Sequence, residues 1–531
     1  MVSSLKDKIF QIYSHFHQTN TIPCTISSFT YLLQDLPTEQ EDVDFVGEPL
    51  TPSQYFYKYF PDDFWNLCME QTNIYAYQKK GERYTKTDVK ELKTFSGIHI
   101  IMGIMHVPQV RMYWSKCCDV PIITQHMTRN RFFELRNTLH FVDKTILTEN
   151  QKRDKLSLVR PILDTFKNCC INLPRTECLS VDEQMIPFSG RCPMRQYVPS
   201  KPNPVGLKNF VLAARDGLVL DFIIYTGKNT VADNDMKSFG LGGSIVKHLV
   251  SSISVSKPTY LFTDRYFTGL AILDYLRTKN IYMTGTIMSN RTEGAAESFP
   301  KDRDMERGSS AFRTRKDGKA CLTKWKDRKS VVLLSSAFGA KPEYKCKRWS
   351  KEDKKKIDVN QPAVIKAYNS NMGGVDLMDR LISYYRISIR TKKWPLRVFA
   401  HFLDMATCNA WILYIRHCKK NEILKKDRLQ LIDFKLSIAE ILIKKEVSRT
   451  RDEAERVQDE KERVRPQKVV PLPVNDARFD RIGHFPEHVK LPNQMKCRNP
   501  GCKGKSRVRC IKCDIYLCLQ NRNCFYEFHH K

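Results

Sequence analysis

Between residues 52 and 174 the apolar side chains recur at helical spacing. Leu92, Phe95, Ile98 and Met102 stand at i, i+3, i+6 and i+10 behind Thr87 and Asp88, a polar pair suited to starting a helix. Phe132, Leu135, Leu139 and Phe141 form a second run of this kind, so an all-helical region is predicted. Beyond it the period changes. Residues 178–182 read as extended, and 209–213 and 218–225 flank Arg215-Asp216-Gly217, a turn that favours a hairpin. A helical stretch with Ile245, Val246, Leu249 and Val250 follows, then a strand at 259–263, a helix at 268–278 and a strand at 281–286. The order β-β-β-α-β-α-β describes a mixed sheet flanked by helices.

From 290 to 361 the period is lost, and residues 341–356 hold eight Lys or Arg against Glu343, Glu352 and Asp353. An insertion within the sheet domain is expected, its basic run read as a solvated loop, a nuclear import signal or a phosphate contact. Helical spacing returns after Gly373-Gly374 and again at Pro395, with Leu396, Phe399, Leu403, Ala406, Ala410 and Leu413 on one face. These later helices are expected to pack on the first helical region. Residues 444–468 alternate charge with few apolar positions, as a solvated helix and linker would, and the weakly patterned 1–47, which ends in an acidic run, reads as a partly disordered arm. The expected division is an arm at 1–47, helical segments at 48–175 and 386–445, sheet-domain segments at 176–289 and 362–385, the insertion at 290–361, a linker at 446–492 and a cysteine-rich module at 493–531.

Composition narrows the class. The chain has 531 residues, 41% hydrophobic and 27% charged, which suits several globular domains and excludes wholesale disorder. Lys+Arg at 88 against Asp+Glu at 58 leaves +30, a surplus that attracts polyanions, nucleic acid first. The apolar stretch 98–107 falls well short of the roughly 20 residues of a spanning helix, and residues 1–18 lack the apolar core of a signal peptide. No membrane association is expected, and the nucleus is the expected compartment.

Two constellations carry chemistry. Cys497, Cys502, Cys510, Cys513, Cys518 and Cys524 are spaced C-x4-C-x7-C-x2-C-x4-C-x5-C ahead of His529 and His530. In a reducing compartment such density points to Zn2+, and so short a segment needs metal to fold. Two ions are expected in a cross-brace: Cys497, Cys502, Cys518 and Cys524 around one, and Cys510, Cys513 and His529, with or without His530, around the other. The module is also basic, which suits DNA, although a ubiquitin-ligase-like ring or a histone reader would use the same ligand pattern. The second constellation is acidic. Asp182 and Asp264 end predicted strands, and Asp376 and Asp379 sit one turn apart at the start of a predicted helix. Carboxylates brought together repel unless a cation neutralises them, and oxygen ligands select Mg2+ or Mn2+. Two such ions serve phosphoryl transfer.

The runs Ser180-Val181-Asp182-Glu183-Gln184-Met185, 190–202, Thr263-Asp264-Arg265-Tyr266-Phe267-Thr268, Met372-Gly373-Gly374-Val375-Asp376-Leu377-Met378-Asp379 and Lys392-Lys393-Trp394-Pro395 resemble, in order, the signature segments of piggyBac-type transposases. The resemblance implies an α/β catalytic core of RNase H-like type with an insertion, an all-helical dimerisation and DNA-binding domain built from two segments, and a C-terminal zinc module that binds transposon-end DNA. It implies cut-and-paste chemistry at TTAA targets through a D-D-D site with two divalent ions. Asp182, Asp264 and Asp376 fall at the three catalytic positions, and Asp379 at a nearby acidic one. Trp394 falls where a tryptophan contacts the end hairpin. Arg191, Arg195, Lys201, Lys208, Lys392 and Lys393 are expected to meet DNA, and a homodimer is expected. The wording after Asp182 also resembles vertebrate piggyBac-derived proteins, some of them domesticated, so a chromatin DNA-binding protein without transposition is the second functional reading.

Overall fold

The computed structural model describes residues 47–199, 201–253, 257–443, 472–473, 475–520 and 522–530. The expected arm and most of the expected linker lie outside the described residues. The chain forms two compact units, Met1–Lys445 and Glu446–Lys531.

The first unit begins with helices α1 (Pro52–Tyr57), α2 (Asp62–Lys80), α3 (Val89–Ile104), α4 (Arg129–Thr138) and α5 (Arg160–Ile171). Asp88 caps α3, its side chain accepting from the Glu91 amide at 2.6 Å. Strands β1 (Cys178–Pro187), β2 (Arg195–Tyr197), β3 (Val205–Ala214) and β4 (Val219–Ile224) follow, then helix α6 (Asp233–Val250), β5 (Thr259–Thr263), α7 (Leu270–Arg277) and β6 (Ile281–Thr286). The predicted hairpin is β3–β4, and the three-residue β2 is too short to leave a periodic signal.

One correction concerns residues 290–361. They contain β7 (Ser310–Thr314), β8 (Cys321–Lys326) and β9 (Ser330–Ser335), which continue the central sheet because β9 pairs antiparallel with β6. The nine-stranded sheet runs β2-β3-β1-β5-β6-β9-β8-β7, with β4 beside β3. The basic run forms a separate hairpin of β10 (Glu343–Ser350) and β11 (Lys355–Pro362). Strand pairing between residues far apart in sequence leaves no local periodicity, and cationic side chains on alternate positions hid the hairpin.

Helices α8 (Ala363–Asn371) and α9 (Gly374–Tyr384) return the chain to the sheet, before α10 (Trp394–Lys420) and α11 (Leu431–Ile443). Successive residues of β5 face opposite layers: Leu261 joins the large core shared with the helices, whereas Tyr260 and Phe262 pack with Val364 and Ile365 of α8. Helix α10 is long and apolar enough to cross a membrane, but 89% of that stretch is buried inside the unit. Its Phe399 lies among Phe60, Phe64 and Phe141 at ring separations of 6.5, 6.5 and 5.3 Å, joining the late helices to the first helical segment.

Helix α9 meets the sheet at backbone distance. A Cβ on Gly374 would stand 2.4 Å from Ala214 O and 2.8 Å from Ser180 Oγ, so only glycine lets the first turn of α9 touch β1 and β3. Gly374→Ala is expected to destabilise the unit by about 1–3 kcal/mol, read as a lowered thermal midpoint. An unchanged midpoint would show that α9 shifts freely.

Candidate metal centres and nucleic-acid interface

Strands β1 and β5 pair in parallel, Leu179 with Leu261 and Val181 with Thr263, and this ladder ends there. Strand β1 continues to Pro187 against β3, so residue 182 lies inside the strand, where the sequence reading ended it. Asp182 and Asp264 are the next residues on the two neighbours, which places their carboxylates side by side at the carboxyl edge of the parallel pair. Oxygens of Asp182, Glu183 and Asp264 come within 4.8 Å of one another. Local backbone amides hold the two aspartates: Glu183 N–H donates to Asp182 Oδ1 at 2.7 Å and Tyr266 N–H to Asp264 Oδ1 at 2.8 Å.

Asp376 and Asp379 project from the first turns of α9, three residues apart and so on neighbouring positions of one face. Asp379 accepts from Gln184 Nε2 at 2.7 Å. Asp376 is exposed and lies outside this group of three, which holds Glu183 instead. The reason is positional. Glu183 follows Asp182 at the strand edge, whereas Asp376 sits on the solvent side of a helix start. Asp376 nonetheless shares its field with the group, since the Lys201 ammonium feels Asp182, Glu183, Asp376 and Asp379 together.

The electrostatics are those of charges withdrawn from water. Burial pushes the Asp182 carboxyl up to about 8, helped by Glu183 and opposed by Lys201. Burial also raises Asp264, and it lifts Asp379 to about 6 against the Gln184 hydrogen bond. Because Asp182 binds its proton more tightly in the fold than at its ordinary 3.8, it stabilises the metal-free protein at low pH, and that stability is lost as pH rises from about 4 through about 8. A cation must displace the same proton. Binding of Mn2+ is therefore expected to tighten as pH rises from 6 toward 8, and isothermal titration in two buffers of different ionisation enthalpy should register proton release. Affinity flat across that range would count against Asp182 as a ligand.

The predicted DNA contacts separate on inspection. Arg191 and Lys392 are exposed. Arg195 is exposed but donates to Ser189 O and Gly190 O at 2.9 and 3.0 Å. Lys201, expected at a phosphate, instead turns inward, its Nζ 3.8 Å from Glu183 Oε1. Burial alone would depress its pKa, but the surrounding carboxylates more than offset this and raise it. Lys208 lies over the rings of Phe210 and Tyr266 at 4.9 and 4.6 Å, and burial lowers its pKa. Lys393 donates to Asn137 O and lies 5.9 Å from the Tyr75 ring centre. Trp394 opens α10 half-buried against the large core.

In the second unit, β12 (Pro486–His488) pairs with β15 (Val508–Cys510), which pairs with β16 (Ile515–Tyr516), and a two-stranded ladder joins β13 (Met495–Lys496) to β14 (Lys505–Ser506). Helix α12 (Cys524–His529) closes the chain. Cys497, Cys502, Cys518 and Cys524 form one cluster, their sulfurs mutually within 4.8 Å. A Cβ on Gly504 would lie 2.9 Å from Cys518 Sγ and 3.3 Å from Cys502 Sγ, so glycine leaves room for the sulfurs to converge. The Gly504 amide and the Arg522 guanidinium bring the Cys502 thiol down to about 6, toward the thiolate a metal requires.

The second cluster is His484, Cys510, Cys513 and His529. His484 Nδ1 stands 3.5 and 3.4 Å from the two sulfurs, and His529 Nε2 stands 3.4 Å from Cys513 Sγ. Each imidazole uses its other nitrogen on a fixed partner: His484 Nε2 on Asp480 Oδ1 at 3.0 Å, His529 Nδ1 on Phe525 O at 2.8 Å. Such outer hydrogen bonds orient metal-binding imidazoles. Of the two alternatives left open for His530, the structure has the one without it: His530 stacks on Tyr526 at 4.0 Å, outside both clusters, because one turn of helix sends adjacent residues to different faces. The module also begins before 493, since His484 and β12 belong to it. His484 was missed because it lies 13 residues ahead of the cysteine-dense window, among apolar and acidic neighbours.

Comparison with known proteins agrees with this architecture. A family model described as Transposase IS4 matches residues 51–411. Human PiggyBac transposable element-derived protein 3 is 30% identical over 493 residues, spanning 92% of this chain and 77% of that protein. Human PiggyBac transposable element-derived protein 2 is 28% identical over 452 residues, 84% of this chain and 72% of that one. A piggyBac transposase solved by cryo-electron microscopy as a synaptic complex with hairpin DNA superposes with a TM-score of 0.65 at 22% identity, covering 89% of this chain and 96% of its own. The superposition and the family fit an RNase H-like core in the mixed sheet. Sheet order, acidic edge and matched residues converge on one assignment: the chain belongs to the piggyBac transposase family.

Proposed function

We propose that the protein is a metal-dependent DNA transposase acting through the acidic edge of the central sheet. The observation that carries this reading is the convergence of the Asp182, Glu183 and Asp264 oxygens within 4.8 Å, with Asp376 and Asp379 of α9 acting on the same Lys201 ammonium. Such an all-oxygen donor set fits Mg2+ or Mn2+. Two bound ions supply activation of the attacking oxygen and charge stabilisation at the leaving oxygen of a phosphodiester. The chain's own part is to hold the ligands rigid through the β1–β5 ladder and backbone amides, and to keep them partly dry. Lys201 balances the carboxylates until cations arrive. Of the residues expected at DNA, Arg191, Arg195 and Lys392 are exposed and open to phosphates.

Cleavage at TTAA, a dimer formed by the helical segments and nuclear residence complete the proposal, supported by family membership and the +30 charge. In the second unit we assign Zn2+ to both clusters, because four thiolates, or two thiolates with two imidazoles, suit a closed tetrahedral site. Along the chain the clusters interleave as 484, then 497 and 502, then 510 and 513, then 518 and 524, then 529, with a single histidine at each end, in the manner of a cross-brace. Purified protein with Mn2+ or Mg2+ is expected to nick DNA carrying its own terminal repeats beside TTAA. Binding without cutting in both metals would favour the second reading, a DNA-binding protein, which the "element-derived" names of the relatives also suit.

A further inference from the structure

Gln184 lies two residues beyond Asp182 on β1, so the two side chains leave the same face of the strand. It is fully buried, and both ends of its amide are engaged. Nε2 donates to Asp379 Oδ1 at 2.7 Å, while Oε1 meets His401 Nε2 at 2.8 Å and accepts from Asn209 Nδ2 at 3.3 Å. His401 and Asn209 are themselves buried. Reversing the amide would set its oxygen against the Asp379 carboxylate, so that carboxylate selects the orientation in which Nε2 faces it. That orientation requires His401 to carry its proton on Nε2, as a neutral imidazole can.

His401 belongs to a buried polar stripe on α10. Arg397, one turn earlier, donates to Pro187 O at the end of β1 at 2.8 Å and to Ile387 O at 3.0 Å. Asp404, three residues later, accepts from the Ile387 amide at 2.9 Å and from Lys435 Nζ at 2.9 Å, and that ammonium also donates to Tyr385 O at 2.9 Å. One face of α10 thus grips the strand that bears Asp182 and the segment leaving the helix that bears Asp379.

We propose that Gln184 is the positioning residue for Asp379: helix α10, through His401, sets the amide, and the amide holds the carboxylate beside the Asp182–Asp264 pair. The inference rests on the metal-site reading above and adds the helical segment as the part that fixes its geometry. It also explains why a glutamine, which cannot ligate Mg2+ strongly, occupies the site-facing position next to the acidic group.

The test measures Mn2+ binding to the full-length protein without DNA, by electron paramagnetic resonance of free Mn2+, alongside thermal midpoints. Gln184→Met and His401→Phe are each expected to weaken binding about tenfold. His401→Gln, which keeps a donor, should stay within about threefold of wild type. The Gln184→Met/Asp379→Asn double variant should bind no more weakly than Asp379→Asn alone. Wild-type affinity in Gln184→Met or His401→Phe, or additive losses in the double variant, overturns the proposal. So does failure of both single variants to fold, which would make the network purely structural. Wild-type protein that takes up no Mn2+ would instead refute the metal-site reading, and protein that binds Mn2+ without cutting DNA would refute only the enzymatic one.

Discussion

Asp264→Ala is expected to abolish metal-dependent DNA cleavage, with a loss on the order of a thousandfold or more, while the protein stays folded and binds DNA ends. The size follows from geometry. The parallel β1–β5 ladder sets Asp182 and Asp264 side by side at its open end, so removing one leaves the tight group of three with two carboxylates, adjacent on a single strand. The fold should survive because Asp264 is an electrostatic burden when no metal is bound. Burial raises its pKa, and Glu183 raises it further, so a neutral side chain relieves the site. The variant should therefore melt no lower than wild type in chelator, and the stabilisation expected of Mn2+ in the wild type should be absent from it. Cleavage within about threefold of wild type would remove Asp264 from the reaction. A lower melting point in chelator would instead mark it as structural.

Removing metal from the second unit is expected to unfold it and leave the first unit's thermal transition unchanged. Apart from cysteines, the apolar core of the second unit comprises little more than Ile515, Leu517, Phe525 and Phe528, with Val508 packed against it. So small a core contributes too little to offset the ordering of the chain, whereas zinc binding contributes about 10–16 kcal/mol per ion in small finger peptides. Metal analysis should find two zinc ions per chain. His484→Ala should lower this to one, because it removes the ligand whose Nε2 is anchored by Asp480, and His530→Ala should leave it at two. Equal losses in the two variants would return His530 to the ligand set. Structure retained in strong chelator would show that the sulfurs pack as small hydrophobes.

Much of the local organisation could be read from the chain itself. The Thr87-Asp88 start of α3, the Arg215-Asp216-Gly217 hairpin turn and Pro395 in the first turn of α10 all depend on residues a few positions apart, where capping and turn chemistry act. The four-cysteine cluster was legible for a similar reason, since spacing in a short segment bounds which sulfurs can meet. The fourth ligand of the other cluster was not legible, because His484 reaches Cys510 and Cys513 only through the β12–β15 pairing.

The same division runs through the acidic edge. Sequence alone determined which carboxylates were available, since Asp182 and Asp264 each follow a recognisable strand pattern, although β1 runs on past Asp182, and Asp376 and Asp379 share a helix turn. It also carries the +30 charge that favours a polyanionic partner. Only the tertiary structure decided that Glu183 joins the tight group while Asp376 stands apart, that Lys201 turns toward carboxylates, and that His401, 217 residues from Gln184, completes its amide's partners. The physical reason is range. Helical and strand periods and capping bonds act within a few residues. Which side chains share a desolvated edge depends on strand register and on how closely α9 and α10 pack against β1, contacts set by the whole core at once.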